Sequence, residues 1–195
     1  MDLKSFLRGP KLIFVILIAI ILAEVLLAVR YLSQSAPPPP SKLQPISEPI
    51  SGGRIVLIAD KKDYQAGENI VVSVRVSTGG QPTVGVDLVL RFDPKVLEAS
   101  NAAVTQGRIY SEYPMKSVDN KEGTVRISGI SSIRKESGFN GVGIFATINF
   151  KAIGSGKTTL RIDFTPDLTS DSNVIGVKNA KDILEEVFNL DLNIK

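Results

Sequence analysis

The C-terminal part of the sequence predicts an all-β sandwich. Three observations indicate this fold: short runs alternate apolar and polar residues from about residue 54 onward, turn residues separate the runs, and almost no stretch follows a helical period. Period-two runs with Gly, Pro, Asn and Asp between them are typical of stacked antiparallel sheets and not of an α/β fold.

The apolar positions of the alternating runs predict the core. A first short run covers residues 55–59, and the one stretch with possible helical character covers residues 180–188. The residues expected to face inward in the longer runs are Ile70, Val72, Val74 and Val76; Val86, Leu88, Leu90 and Phe92; Val125 and Ile127; Ile144, Ala146, Ile148 and Phe150; Leu160, Ile162 and Phe164; and Phe188, Leu190, Leu192 and Ile194. Asp93-Pro94 ends the run at 86–92, because proline has no amide hydrogen to donate to a neighbouring strand.

An apolar segment near the N-terminus predicts a membrane anchor. Residues 12–29 contain a single charge, Glu24, and are long enough to span a bilayer, so we expect a transmembrane helix over 12–30. A cleaved signal peptide is the alternative, since small residues at 33–36 fit a cleavage site. Basic residues are more frequent before the segment than after it, which favours a cytoplasmic tail at 1–11 and an extracellular C-terminal domain. These residues are Lys4, Arg8 and Lys11 before it, and Arg30 and Lys42 after it.

The segment at 31–53 predicts a spacer. It contains the sequence APPPPSKLQPISEPISGG, which is rich in Pro and Ser and has no apolar period. A polyproline-type chain rises about 3.1 Å per residue, so some twenty residues could hold a domain up to roughly 60 Å from the bilayer. The domain itself is expected to cover 54–195.

Composition excludes several classes of function. The chain contains no Cys and no His, which excludes disulfides, thiolate catalysis, zinc sites with Cys or His ligands, and Ser-His-Asp triads. The net charge of +3 does not indicate nucleic acid, because residues 51–195 carry 18 basic and 17 acidic residues, well mixed. Neighbouring acids such as Glu185 and Glu186, or Asp167 and Asp171, lack the spacing of an acid/base pair, so we expect no enzyme and no cofactor.

Four stretches of the sequence together resemble cohesin domains over about residues 52–195. GVDLVLRFDPKVLEA is similar to the third strand and following turn of that family, and DYQAGENIVVSVRV to its second strand. GVGIFATINFKAIGSGKTTLRI resembles a later strand, turn and strand, and SNVIG followed by an alternating run resembles the end of the domain.

The resemblance implies a nine-stranded jelly-roll sandwich that binds a calcium-loaded dockerin domain and is not an enzyme. Cohesins bind their partner on one flat sheet face that includes the outward side of the third strand. By position, the matching residues here are Gly85, Asp87, Val89 and Arg91, with Asp87 in the place of an acidic residue that hydrogen-bonds dockerin. Thr124, Arg126 and Ser128 are the outward residues of a strand that could neighbour it. A solvated strand face without a partner is the alternative interpretation of both sets.

The sequence contains residues that suit two further kinds of ligand. A polysaccharide surface would use exposed aromatic rings, and Tyr110 and Tyr113 are the only close pair of tyrosines, but packing of a turn onto the end of the sandwich is the preferred interpretation of them. A calcium loop could use Asp171, Asn173, Asn179 and Asp182, which stand at positions 1, 3, 9 and 12 of a twelve-residue loop with Gly176 at position 6. Ile175 at position 5 has no ligand oxygen, so a strand, turn and strand is the preferred prediction there.

Overall fold

The computed structural model describes residues 18, 21–27, 52–131, 138–166 and 168–195. The chain divides at residue 45 into two units, which are described separately. In the N-terminal unit, residues 18 and 21–27 are helical. Within the described ranges, no helix is long and apolar enough to cross a membrane. The predicted anchor at 12–30 lies mostly outside these ranges, as do the tail at 1–11 and the spacer up to residue 51.

The C-terminal unit is built from strands. The described chain contains thirteen strand segments and one short 3₁₀ turn at Asn101–Ala103. The strands are β1 (Gly53–Ile58), β2 (Asp63–Tyr64), β3 (Asn69–Ser77), β4 (Thr83–Arg91), β5 (Leu97–Glu98), β6 (Val104–Gln106), β7 (Glu112–Asp119), β8 (Thr124–Ile130), β9 (Val142–Ala152), β10 (Gly156–Ile162), β11 (Asn173–Gly176), β12 (Leu184–Phe188) and β13 (Leu190–Ile194).

The strands form two sheets. The first sheet has the order β12-β1-β3-β9-β5, with β6 also paired to β9. The second sheet has the order β2-β13-β10-β4-β8-β7, with β11 also paired to β4. Most neighbours are antiparallel, whereas β12 runs parallel to β1 and β2 runs parallel to β13. This arrangement confirms the predicted all-β sandwich.

Three strands of the sandwich are interrupted or divided. The segments β5 and β6 both pair with β9, and β10 and β11 both pair with β4. A single residue, Asn189, separates β12 from β13, which lie in different sheets. Nine strands result when β5 and β6, β10 and β11, and β12 and β13 are each counted as one strand and the two-residue β2 is not counted. This is the number that the resemblance implies.

The inward faces of both sheets form one apolar core, as the alternation predicts. The predicted inward residues of β3 and β4 and those of the 124–128 run are all at most 6 % exposed. Because each β4 residue that points inward is followed by one that points outward, burial of Val86, Leu88 and Leu90 fixes which side of β4 faces solvent. The core therefore sets the orientation of the functional residues considered below.

Three sequence predictions are wrong in the structure. A register shift in the β3–β9 pair, between Val74 and Arg75, places Phe145 inside at 0 % exposure and Ile144 outside at 40 %. An extra residue in one strand inverts the alternation beyond it, and the sequence gives no sign of it. Phe188 is also exposed, because it ends β12 on the first sheet while β13 continues on the second. The possible helix over residues 180–188 does not form, since strand β12 occupies Leu184–Phe188.

One glycine holds the turn that leads into β8. Gly123 has a φ of +63°, and a Cβ atom there would lie 2.1 Å from the carbonyl oxygen of Phe92. We expect Gly123→Ala to lower the free energy of unfolding by about 1–3 kcal/mol, through backbone strain and this contact. Gly67→Ala is the matched control, because Gly67 also has a positive φ, of +86°, but has open space around it. Urea denaturation of both variants measures the difference, and equal losses would show that the Phe92 contact is unimportant.

Candidate functional site

The predicted neighbours β4 and β8 pair directly. Their antiparallel register places Asp87 opposite Ser128, Val89 opposite Arg126 and Arg91 opposite Thr124. Residues directly opposite in such a pair have Cβ atoms about 4.5–5.5 Å apart on the same side of the sheet. The sequence prediction that Thr124, Arg126 and Ser128 lie beside the outward residues of β4 is therefore confirmed.

Strand β7 extends the same surface. It pairs with β8 so that Met115 lies opposite Ser128, Ser117 opposite Arg126 and Asp119 opposite Thr124. We refer to this surface of the second sheet as the outer face. Its residues on the three strands are Gly85, Asp87, Val89 and Arg91 of β4; Thr124, Arg126, Ser128 and Ile130 of β8; and Met115, Ser117 and Asp119 of β7.

On the other side of β4, the neighbouring strand is interrupted. Strand β10 pairs with Leu90 and Arg91, and β11 pairs with residues from Thr83 to Asp87. Between them the chain leaves the sheet and returns at Ser172, whose Oγ accepts a hydrogen bond from the Val89 amide at 2.9 Å. The Asp163 amide donates to the Val89 carbonyl at 2.8 Å. These bonds satisfy the edge of β4 at Val89, where strand pairing is missing.

One end of the outer face is a network of charges. The Arg91 Nε atom lies 2.6 Å from Asp163 Oδ2, and its Nη1 donates to Thr124 Oγ1 at 3.0 Å. Arg161 Nη2 lies 3.4 Å from the other oxygen of Asp163. A shallow depression of about 230 Å³ opens beside this network. Because the Arg91 guanidinium is already paired, it orders this end of the face. It is less available than Arg126 for an ion pair with a partner.

Arg126 and Asp87 are the charged residues of the face that remain available. Arg126 is exposed and has no ion pair within the described ranges, and it lies between Val89 and Ser117. Asp87 is half-buried, and its carboxylate accepts no hydrogen bond from any described residue. An unpaired cation and an unpaired anion on adjacent strands give the centre of the face both signs of charge.

The opposite end of the face is apolar. Ile130 is 40 % exposed and Met115 is 49 % exposed. Gly85 lies opposite Ile130, and a Cβ atom at Gly85 would lie only 3.3 Å from Ile130 Cγ2. The glycine therefore leaves room for Ile130 to lie across β4. Met and Arg are enriched in protein interfaces, so this composition suits a protein partner.

Two predicted contact residues expose less surface than the alternation suggests. Val89 is 5 % exposed and Thr124 is 6 % exposed, although both lie on the outer face. Thr124 accepts from Arg91, and Val89 lies between Arg126 on one side and the bonded edge at Ser172 on the other. Val89 and Thr124 therefore offer little surface to a partner, whereas Arg126, Ser128 and Met115 are more accessible.

The tyrosine pair does not form an exposed platform, which corrects the sugar-binding hypothesis. Tyr110 is 5 % exposed, its ring lies edge-on to Phe139 and Phe145, and its hydroxyl is 2.7 Å from Thr83 Oγ1. The Tyr113 hydroxyl donates to the Phe145 carbonyl at 2.8 Å. Burial raises the pKa of Tyr110 and of Tyr113 to about 12. Both rings belong to the end of the core, as the packing alternative held.

The twelve-residue calcium loop does not form either. Residues 173–176 are strand β11, and the Asp182 carboxylate accepts hydrogen bonds from the Val174 and Leu184 amides, both at 2.9 Å. Asn179 is exposed in the turn with a φ of 118°. The preferred strand, turn and strand is confirmed. Within the described chain, no group of three or more acidic residues is placed to hold a metal ion.

Several residues of the outer face were not found from the sequence. Ile130 continues the alternation of Thr124, Arg126 and Ser128, so it could have been included by extending that run by two positions. Met115 and Ser117 also alternate, but Pro114 beside them argues against a central strand. The position of β11 beside β4 is a long-range contact without a local signal.

Comparison with known proteins supports the same assignment. The family model for the cohesin domain matches residues 55–194. A type II cohesin domain from the cellulosome of Acetivibrio cellulolyticus has a TM-score of 0.60 at 16 % identity, covering 73 % of this chain and 95 % of that one. The non-cellulosomal cohesin of the archaeon Archaeoglobus fulgidus has a TM-score of 0.55 at 16 % identity, covering 74 % and 91 %.

A third solved structure shows such a domain with its partner. The third cohesin of ScaC from Acetivibrio cellulolyticus, solved in complex with the ScaB dockerin, has a TM-score of 0.59 at 13 % identity, covering 73 % of this chain and 98 % of that one. No curated protein matches the sequence. At these identities the structures show a shared fold, whereas the family model matches well over half of the chain. The chain belongs to the cohesin domain family.

Proposed function

We propose that this protein is a non-catalytic docking module that binds a dockerin-type protein module on its outer face. The observation that supports this most directly is the composition of that face: the unpaired Arg126 shares the β4-β8-β7 surface with exposed Met115 and Ile130. Arginine and methionine are both enriched in protein interfaces, and arginine is frequent among the residues that contribute most to binding. Cohesins of similar fold have been solved in complex with dockerins.

The proposed complex is held at a membrane surface. Residues 12–30 would anchor the chain, with the N-terminus in the cytoplasm and the cohesin domain outside, and the Pro-rich spacer at 31–53 would separate them. The apolar run of residues 12–29 and the greater number of basic residues before it support this arrangement. Protease treatment of intact cells tests it: the domain should be cleaved and the residues before the anchor should be protected.

Dockerin binding is tested by titrating the full chain against a panel of calcium-loaded dockerins from the source organism. We expect at least one to bind, and we expect Asp87→Ala to weaken that binding by about tenfold, since a carboxylate that accepts a partner's hydrogen bond is lost. Asn149→Ala is the matched control, because Asn149 is exposed on the first sheet. Equal affinity of the Asp87→Ala variant and the wild type would exclude this part of the face from the interface, and no binding to any dockerin would contradict the proposal.

A further inference from the structure

Two aspartates differ from the others in the described chain. Seven described aspartates accept at least one hydrogen bond through the carboxylate, from a hydroxyl, an amide or a basic side chain: Asp60, Asp63, Asp93, Asp119, Asp163, Asp182 and Asp191. Among the described residues, the carboxylates of Asp87 and Asp171 have neither a hydrogen-bond donor nor an ion pair. One oxygen of Asp171, Oδ1, is also shielded from solvent. Such a group is costly to bury without a compensating positive charge.

An amide oxygen that is shielded and without a donor, like Asp171 Oδ1, belongs to the residue opposite Asp87. Asn173 is 2 % exposed, and its Oδ1 atom is shielded from solvent without any donor. Its Nδ2 atom donates to the Asp171 carbonyl at 3.3 Å, which holds the amide against Asp171. Across the β11–β4 pair, Asn173 lies directly opposite Asp87. Asn173 and Asp87 are therefore neighbours across the two strands, and Asp171 lies two residues before Asn173, at the edge of the outer face.

We propose that Asp87, Asp171 and Asn173 bind a divalent cation of the calcium class. Calcium takes six to eight oxygen ligands at about 2.3–2.6 Å, and two carboxylates with one amide can supply up to five, with water completing the shell. A cation would neutralise both unpaired carboxylates and coordinate the two oxygens that lack donors. The ligands come from two neighbouring strands, so this site differs from the twelve-residue loop, which would have needed Asn179 and Asp182.

Other ways of satisfying these oxygens are less suitable. A lysine from a binding partner would supply one positive charge, whereas Asp87 and Asp171 together carry two negative charges. A water molecule could donate to the two atoms, but it would leave the charges of Asp87 and Asp171 unneutralised. A site with two carboxylates is expected to bind calcium weakly, in the range of about 0.1–1 mM that is typical of extracellular modules.

Calorimetry and thermal unfolding of the full chain, without any partner, test the proposal. After treatment with a chelator, we expect calcium to bind with one site per chain, and about 10 mM calcium to raise the Tm by roughly 4–10 °C. Magnesium should bind more weakly, because it requires a tighter octahedral shell. The Asp171→Asn variant should lose at least tenfold in calcium affinity. Absence of both heat and a Tm shift with the wild type would overturn the proposal.

A matched variant separates this site from general charge effects. Asp191 lies on β13 and accepts one hydrogen bond from Thr159 at 2.7 Å, so Asp191→Asn removes one negative charge elsewhere on the second sheet. We expect it to leave the calcium affinity unchanged, and a loss equal to that of Asp171→Asn would refute a specific site. The proposal shares Asp87 with the proposed docking residues, so the Asp171→Asn variant, at a residue outside that set, separates calcium binding from dockerin binding. Calcium binding with no dockerin affinity would contradict the proposed function alone, and the reverse result would contradict the cation site alone.

Discussion

Replacement of Phe145 by alanine is expected to cost about 3–5 kcal/mol of the free energy of unfolding. Phe145 is fully buried, and its ring centroid lies 5.4 Å from that of Tyr113 and 6.2 Å from that of Tyr110. Truncation leaves a cavity between rings that cannot close together, since the Tyr113 hydroxyl is bonded to the Phe145 backbone. Typical domains have a stability of about 5–15 kcal/mol, so the variant should be close to unfolding.

The neighbouring residue provides the control. Ile144→Ala removes an apolar side chain of similar class from the same strand, but Ile144 is 40 % exposed on the outside of the first sheet. We expect its cost to be below about 1 kcal/mol, because little of the side chain is removed from contact with the core. Guanidinium denaturation should show a lower midpoint at unchanged slope for Phe145→Ala and nearly no change for Ile144→Ala. A larger loss for Ile144→Ala would show that β9 lacks the irregularity described above.

The same pair of residues marks the limit of prediction from the sequence. Alternation assigned Leu88 and Ile127 correctly to the core, because an uninterrupted strand keeps the same side inward along its length. It failed for Phe145, since the register shift opposite Val74 and Arg75 depends on pairing with a strand about seventy residues away. The prediction that Phe188 faces the core was wrong for a related reason, because the chain changes sheets at Asn189.

The outer face could be predicted in part for similar reasons. Its β4 and β8 residues follow from alternation together with the cohesin resemblance, and the register confirms their adjacency. The pairing of Arg91 with Asp163 could not be predicted, because the two residues are 72 positions apart in the sequence. Likewise, nothing in the local sequence places Asn173 opposite Asp87, although the acidic and amide residues from 171 onward have the spacing of a calcium loop.

Charge reversal at Arg126 is expected to give the largest change in partner binding. Arginine is enriched among the few residues whose truncation costs about 2 kcal/mol or more of binding free energy, and such residues cluster near the centre of an interface. Arg126 would be central in the proposed interface, because it lies on the middle strand of β4-β8-β7, and it has no ion pair in the described chain. Arg126→Glu should therefore weaken binding of a cognate dockerin by about 100-fold, which corresponds to about 2.8 kcal/mol.

Two comparisons make this expectation specific to the face. Arg75→Glu reverses a charge on the outside of the first sheet, opposite Ile144, and should leave dockerin affinity within about twofold of the wild type. Arg126→Lys should retain part of the affinity, since the charge remains but the planar group that binds carboxylates at two points is lost. If calorimetry finds equal affinities for Arg126→Glu and Arg75→Glu, with both variants folded, the partner does not bind on the outer face. A loss confined to Arg126→Glu, reduced at high salt, would instead indicate an acidic group on the dockerin opposite Arg126.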